Sequence, residues 1–315
     1  MRTPQLEPLP GLPQTVTIYE VGPRDGLQNE AAVVPAVVKA ELIRRLVAAG
    51  LTTVETTSFV RPDRVPQLAD AEEVLDLLGP MPAGVRLPVL VPNAKGLDRA
   101  LERGVSSIAV FASATESFAQ ANLGRSVAES MHMFAPVVER ARTAGVWVRA
   151  YVSMCFGDPW EGDVPIDQVV AVADQLVSLG ADELSLGDTI GVGTPGHVVA
   201  LLDALQHKGI SVDQTAVHFH DTYGQALANT LAALQSGVRT VDAAAGGLGG
   251  CPFAKSATGN LATEDLVWAL EGMGVRTGVD LEALVRTSLW LADELGRPSP
   301  SRVVRALAGD LSAPA

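Results

Sequence analysis

Short runs rich in β-branched and aromatic residues alternate with longer stretches whose apolar positions recur every three or four residues. The short runs are Thr15–Val21, Leu51–Thr57, Arg86–Val91, Val105–Ala112, Val146–Met154, Asp182–Leu186, Gln214–His220 and Val238–Ala244, and each reads as a buried strand. The longer stretches predict helices over Pro35–Ala49, Val65–Leu78, Ala94–Arg103, Ser126–Ala144, Ile166–Leu179, Pro195–Gln206, Gly224–Gln235 and Thr263–Met273. Gly50, Gly104, Gly145, Gly180 and Gly237 stand just before the following strands as helix stop signals. Strands and helices in strict alternation imply parallel strands joined by crossovers, and eight such units suffice to close a (β/α)8 TIM barrel. An open doubly wound sheet is the runner-up. It carries a glycine fingerprint after its first strand, whereas Gly22-Pro23-Arg24-Asp25-Gly26 follows here. Two further amphipathic helices, Leu281–Leu295 and Ser301–Leu307, come after the last unit. The expected organisation is a barrel over residues 1–275 with a short N-terminal arm. Residues 276–315 then form C-terminal helices packed on the barrel or at a dimer interface.

Composition narrows the function classes. The chain has 315 residues, 47% hydrophobic and 19% charged, with a net charge of −13. That hydrophobic share excludes a disordered chain, and the acidic balance excludes a nucleic-acid partner. Two cysteines, Cys155 and Cys251, make no disulfide scaffold and suit a reducing, cytoplasmic compartment. The proline-containing start, Met1 to Gln14, has no apolar signal core. The uncharged stretch Thr222–Val238 carries Gln225, Asn229 and Gln235, so no membrane span is expected.

A barrel gathers its active-site residues at the C-terminal ends of the strands, and the unusual polar residues fall there. Arg24 and Asp25 follow the first strand, Glu55 lies near the end of the second, and Asp188 and Thr189 follow the sixth. His218 and His220 end the seventh; Cys251 lies in the glycine-rich loop after the eighth, and Asn260 closes that segment. Residues two apart in a strand share a face, so His218 and His220 point the same way while Val217 and Phe219 point the other. A lone strand histidine is more often structural; a same-face pair at a barrel mouth reads as a metal site. Asp25 and Asn260 would add oxygen ligands. A donor set without thiolate, open to water or substrate, favours Mg²⁺ or Mn²⁺ over tetrahedral zinc. Arg24 beside Asp25 could be a surface ion pair, but at a barrel mouth it is placed to hold an anionic oxygen. Glu55 acts directly or positions Arg24. Gly246-Gly247-Leu248-Gly249-Gly250 could bind phosphate, hinge a lid or simply turn tightly, and Cys251 favours the lid, with the thiol as proton donor. Cys155, flanked by apolar residues, reads as inert.

Together these segments resemble the hydroxymethylglutaryl-CoA lyase family, within a metal-dependent barrel superfamily that includes Claisen-type synthases. The telling stretches are Glu20-Val21-Gly22-Pro23-Arg24-Asp25-Gly26-Leu27-Gln28-Asn29-Glu30, Leu186-Gly187-Asp188-Thr189-Ile190-Gly191, Ala216-Val217-His218-Phe219-His220-Asp221, Gly249-Gly250-Cys251-Pro252 and Gly259-Asn260-Leu261-Ala262-Thr263-Glu264-Asp265. The resemblance implies metal ligation by Asp25, His218, His220 and Asn260. It also implies Arg24 as the electrophile, Cys251 as the catalytic thiol, and Glu55 and Glu264 in support. Arg24, Gln28 and Thr189 would contact an acyl-CoA thioester. A homodimer and cleavage of 3-hydroxy-3-methylglutaryl-CoA to acetyl-CoA and acetoacetate are expected on the same ground. The base for the hydroxyl proton stays open between Asp25, His218 and a cation-held water. Rival expectations are a lyase for a larger 3-hydroxy-3-alkylglutaryl-CoA or citramalyl-CoA, a Claisen-type synthase using a 2-oxo acid, and a non-enzymatic metal or CoA binder. Arg24, Lys95, Arg125 and Lys255 are the candidate cations for the CoA phosphates.

Overall fold

The computed structural model describes residues 3–250 and 259–312. Its strands are β1 (Thr17–Glu20), β2 (Thr53–Val54), β3 (Thr57–Ser58), β4 (Val89–Leu90), β5 (Ser107–Ser113), β6 (Trp147–Ser153), β7 (Glu183–Asp188), β8 (Thr215–Phe219) and β9 (Thr240–Ala243). All pair in parallel, in the order β2-β1-β9-β8-β7-β6-β5-β4-β3. The two ends of this order are halves of the one strand expected over Leu51–Thr57. Alternate amides of a strand point to opposite neighbours. Accordingly, the Glu55 N–H donates to the Glu20 carbonyl at 2.8 Å and the Thr56 N–H to the Pro88 carbonyl at 2.9 Å. The sheet therefore closes on itself, and the barrel has no open edge.

The helices are α1 (Ala36–Ala48), α2 (Ala71–Leu78), α3 (Ala94–Glu102), α4 (Glu116–Leu123), α5 (Val127–Thr143), α6 (Ile166–Leu179), α7 (Pro195–Lys208), α8 (Ala226–Gln235), α9 (Thr263–Gly272), α10 (Leu281–Leu295) and α11 (Arg302–Ser312). Their ends follow local chemistry. Ser126 and Glu129 cap α5 reciprocally, and Asn93 caps α3 by accepting from the Gly96 N–H at 3.0 Å. The five stop glycines all have positive φ. Two expectations fail. The helix predicted from Val65 begins at Ala71, because Pro66–Leu68 forms a separate 3-10 turn. There the buried Gln67 side chain serves the backbone of an earlier loop, accepting from the Val34 N–H and donating to the Leu27 and Ala32 carbonyls. The helix α4 was not expected; only Phe118 and Ala119 of it are buried, too few apolar positions to show a period.

Leu42, Ile43 and Leu46 of α1, Phe134, Val137 and Val138 of α5, and Val169 and Leu176 of α6 belong to the apolar layer between helices and strands. Inside the barrel the layer is polar. Tyr19, Glu55, Arg149, Tyr151, Ser185 and Asp242 are all buried there. The helix α10 packs against α1 and α9, and α11 against both α9 and α10. No helix among the described residues is long and apolar enough to cross a membrane.

Candidate metal and acid-base site

Arg24 and Asp25 sit on a π-helical turn, Gly22–Gly26, at the end of β1. The N–H groups of Arg24, Asp25 and Gly26 all donate to the Val21 carbonyl, at 3.2, 2.8 and 3.1 Å. Single-turn π-helical segments recur at functional sites.

Arg24 is buried at 6% exposure, so the surface ion-pair reading fails. Its Nε and Nη2 donate to Glu55 Oε2 at 3.0 and 2.7 Å, and its Nη1 donates to Asp25 Oδ1 at 2.7 Å. Tyr151 donates its hydroxyl to the same Glu55 oxygen at 2.8 Å and lies under the guanidinium, 5.4 Å from the ring centre. Glu55 therefore holds Arg24 in place.

One ligand atom from each of Asp25, His218 and His220 falls within 4.8 Å of the others. The two imidazole centres are 5.3 Å apart, as the same-face reading of His218 and His220 requires. Asn260 is locked beside them. Its Nδ2 donates to Asp25 Oδ2 at 2.9 Å and to the Leu248 carbonyl at 3.0 Å. Both amide hydrogens are thereby used, and the buried Oδ1 has no hydrogen-bond partner among the described residues. Burial would push the Asp25 carboxyl up, but Arg24, then His218, His220 and the Asn260 amide, bring it down to about 2. An ionised carboxylate and two imidazoles converging on one point, beside an asparagine whose buried amide oxygen is unsatisfied, fit a hard divalent cation.

Gly249 closes this arrangement. At φ +113° a Cβ there would stand 2.5 Å from Asn260 Nδ2, so a side chain would displace the amide. Gly250 is held from the other side, where Asn29 Nδ2 donates to its carbonyl at 2.8 Å. Of the three meanings open for this loop, the described part is a 3-10 turn at Ala245–Gly247 anchored from below. Cys251 and Lys255 lie outside the described residues.

The remaining expected positions are distributed as follows. Thr189 Oγ1 accepts from the Met154 N–H at 3.1 Å, beside the one non-glycine positive φ among the described residues, Met154 at 60°. Gln28 is half-buried on the turn after Asp25. Asp188 is buried and accepts from the Val192 and Gly193 N–H groups at 2.9 Å each, with burial pushing its carboxyl up to about 6. Cys155 is fully buried, its thiol donates to the Val152 carbonyl at 3.0 Å, and burial pushes its pKa up. Lys95 and Arg125 are exposed. Three residues of the network escaped the sequence reading: Tyr151, Arg149 and Asp242. Their signal was present as polar positions at inward-facing places of otherwise apolar strands.

Two buried acids brace the glycine turn. Glu20 accepts from the Gly22 and Ala245 N–H groups, both at 2.8 Å, and from Thr263 Oγ1 at 2.6 Å. Glu264 accepts from the Gly246 N–H with both oxygens, at 3.0 and 2.9 Å, and from the Ser288 hydroxyl. Burial pushes Glu20 up to about 7 and Glu264 up to about 8, from 4.5. The unfolded chain releases these protons first, so stability is full below that unfolded value and falls as pH rises towards 7 and 8. The thermal midpoint is expected to drop between about pH 5 and 8, and Glu264→Gln to make that drop shallower. Parallel curves for the two proteins would contradict the assignment.

A family model described as HMGL-like matches residues 15–290. The chain is 51% identical over 297 residues to the mitochondrial hydroxymethylglutaryl-CoA lyase of Arabidopsis thaliana, covering 94% of this chain but only 63% of that one. It is 49% identical over 298 residues to the cytoplasmic 3-hydroxy-3-methylglutaryl-CoA lyase of Rattus norvegicus, covering 95% of this chain and 86% of the rat protein. The crystal structure of hydroxymethylglutaryl-CoA lyase from Pseudomonas aeruginosa superposes with a TM-score of 0.92 at 46% identity, covering 95% of this chain and 99% of that one.

Proposed function

The chain belongs to the HMGL-like family, and from that premise we propose how its barrel mouth cleaves 3-hydroxy-3-methylglutaryl-CoA into acetyl-CoA and acetoacetate. It is a carbon–carbon lyase. The observation that carries the mechanism is the convergence of Asp25, His218 and His220 within 4.8 Å, next to a buried arginine already aligned by Glu55.

Asp25, His218, His220 and the Oδ1 of Asn260 would hold one divalent cation, Mg²⁺ or Mn²⁺. Such a cation supplies Lewis acidity that makes the tertiary hydroxyl of the substrate easier to deprotonate. The hydroxyl proton passes to the Asp25 carboxylate, which keeps oxygen lone pairs to spare, or to a water; His218, with Nδ1 bonded to Asp242 and Nε2 turned to the cation, would have none left. The C2–C3 bond then breaks. C3 becomes the ketone of acetoacetate, and the bonding electrons move onto the thioester as an enolate. Arg24 faces that developing charge. A guanidinium has five N–H donors, and three are committed to Glu55 and Asp25. One N–H on each Nη remains for the enolate oxygen, where a fixed donor in a dry site is worth about 3 kcal/mol. Cys251 delivers a proton to the enolate carbon and so completes acetyl-CoA. Gln28 and Thr189 are the further substrate contacts in this proposal.

The direct test incubates the purified, Mg²⁺-loaded protein with 3-hydroxy-3-methylglutaryl-CoA and follows acetyl-CoA and acetoacetate by mass spectrometry. Absence of both products with metal bound would overturn the reading; cleavage only of a larger alkylglutaryl or citramalyl thioester would redirect it. The ligand set has its own test. Asp25→Asn and His220→Ala are each expected to weaken Mn²⁺ binding in calorimetry by at least about tenfold, since each removes a direct ligand; unchanged affinity would remove that residue from the set. The relatives carry both mitochondrial and cytoplasmic names. With two cysteines in the chain, we place this protein in a reducing, cytoplasmic setting. A homodimer is proposed on the family resemblance, and sedimentation would test it.

A further inference from the structure

The pairing of β8 with β9 sets His218 directly against Asp242. Asp242 is almost fully buried, at 2% exposure, and its two oxygens are divided between separate tasks. Oδ2 accepts from His218 Nδ1 at 3.1 Å and from the Ser185 hydroxyl at 3.0 Å. Oδ1 accepts from Arg149 Nη2 at 2.6 Å. Arg149 is itself fully buried; it pairs with Glu183 at 3.0 Å and lies 3.6 Å from the Tyr19 ring centre.

A neutral imidazole carries its hydrogen on one nitrogen and a lone pair on the other. A buried carboxylate at Nδ1 holds the hydrogen there and leaves the lone pair on Nε2. The ring of His218 meets the side of Tyr151, with centres 6.2 Å apart and planes at 84°, so it cannot rotate freely about its bond to the strand. Arg149 supplies the positive charge that allows Asp242 to stay ionised in this interior, where a lone carboxylate would be strongly penalised.

We propose that Asp242 is a positioning residue, which with Arg149 behind it fixes His218 as the Nδ1–H tautomer and presents Nε2 to the cation. The assignment rests on the metal-site reading above and deepens it. It does not place Asp242 in contact with substrate. The same chain of side chains runs on from Arg149 through the Tyr151 hydroxyl, at 3.5 Å, to Glu55 and Arg24. One buried polar band thus positions both the histidine and the electrophile.

The experiment begins with the metal-free wild-type protein at mildly alkaline pH, by long-range proton–nitrogen-15 NMR. His218, assigned by its loss in His218→Gln, is expected to be protonated at Nδ1 and bare at Nε2. Protonation at Nε2 would overturn the proposal, and this spectrum decides the point even if a variant fails to fold. Asp242→Asn, checked for folding by circular dichroism, is expected to show a mixed tautomer and a 10–100-fold weaker Mn²⁺ affinity by calorimetry, the usual cost of losing a partner behind a ligand. Asp242→Glu is expected to restore part of that affinity. A folded Asp242→Asn that binds Mn²⁺ as tightly as wild type overturns the positioning role. If His220→Ala weakens the metal while Asp242→Asn does not, only that role fails. If neither variant changes Mn²⁺ binding, the metal site itself fails.

Discussion

Arg24→Lys is expected to lower kcat by about 10²–10³-fold, with KM for the thioester changed far less. The reason is geometric. Glu55 Oε2 is bonded by Nε and Nη2 together, while Asp25 takes Nη1. That three-point hold aims the remaining two N–H groups at one place. A lysine ammonium is a point charge on a flexible stem, and it cannot span Glu55 and Asp25 while also facing a substrate oxygen. It retains the positive charge, so any activity that survives measures charge without direction. Arg24→Gln goes further. It leaves Glu55 buried without its cation, at a cost on the order of 3–5 kcal/mol, and should lower the thermal midpoint as well as the rate. Steady-state kinetics of the two variants beside thermal unfolding separate these effects. Lysine rescue to near wild-type kcat would mean that Arg24 acts only through its charge, and the aligned-donor argument would fall.

How much of this was visible in the linear sequence depends on whether the cue was local. His218 and His220 share a face by the period of a strand alone, and Arg24-Asp25 is placed at the mouth by following a strand. The barrel order is likewise legible because each strand pairs with its chain neighbours, apart from the closing pair of β1 and β9. Asp242 was as polar as any of these residues, yet it sat between Val241 and Ala243 inside the strand expected over Val238–Ala244 and drew no reading of its own. Its meaning depends on the register that sets it against His218, and register is not written in either strand separately. Arg149 and Tyr151 are two apart and face Glu183 and Ser185 across the sheet. Period-two reading would have grouped them, but only closure of the barrel brings them to Glu55 on the far side. The turn at Pro66–Leu68 and the helix α4 escaped for another reason. The first is held by distant residues, with Lys39 Nζ donating to the Gln67 carbonyl and the Gln67 side chain donating to the Leu27 and Ala32 carbonyls, and the second buries too little to leave a hydrophobic period.

Replacing Cys251 by alanine is expected to reduce turnover by about 10²–10⁴-fold, the range for a lost general acid, while Mn²⁺ affinity and thioester binding hold. The prediction separates two jobs within one mouth. Asp25, His218, His220 and Asn260 act on the hydroxyl end of the bond that breaks; none of them is needed to protonate the carbon on the other side of it. The thiol is not one of the proposed metal ligands, so calorimetry should see no change where kinetics see a large one. The second cysteine provides an internal control. Cys155 is fully buried with its thiol bonded to the Val152 carbonyl, and its raised pKa makes it a poor nucleophile towards alkylating reagents. Loss of activity on treatment with iodoacetamide should therefore follow modification of a single thiol, mapped by peptide mass spectrometry to Cys251, and bound thioester should slow it. A Cys251→Ala variant with wild-type kcat would assign the final proton to another group. In that case the two N–H donors of Arg24 would be stabilising an enolate that some other acid quenches.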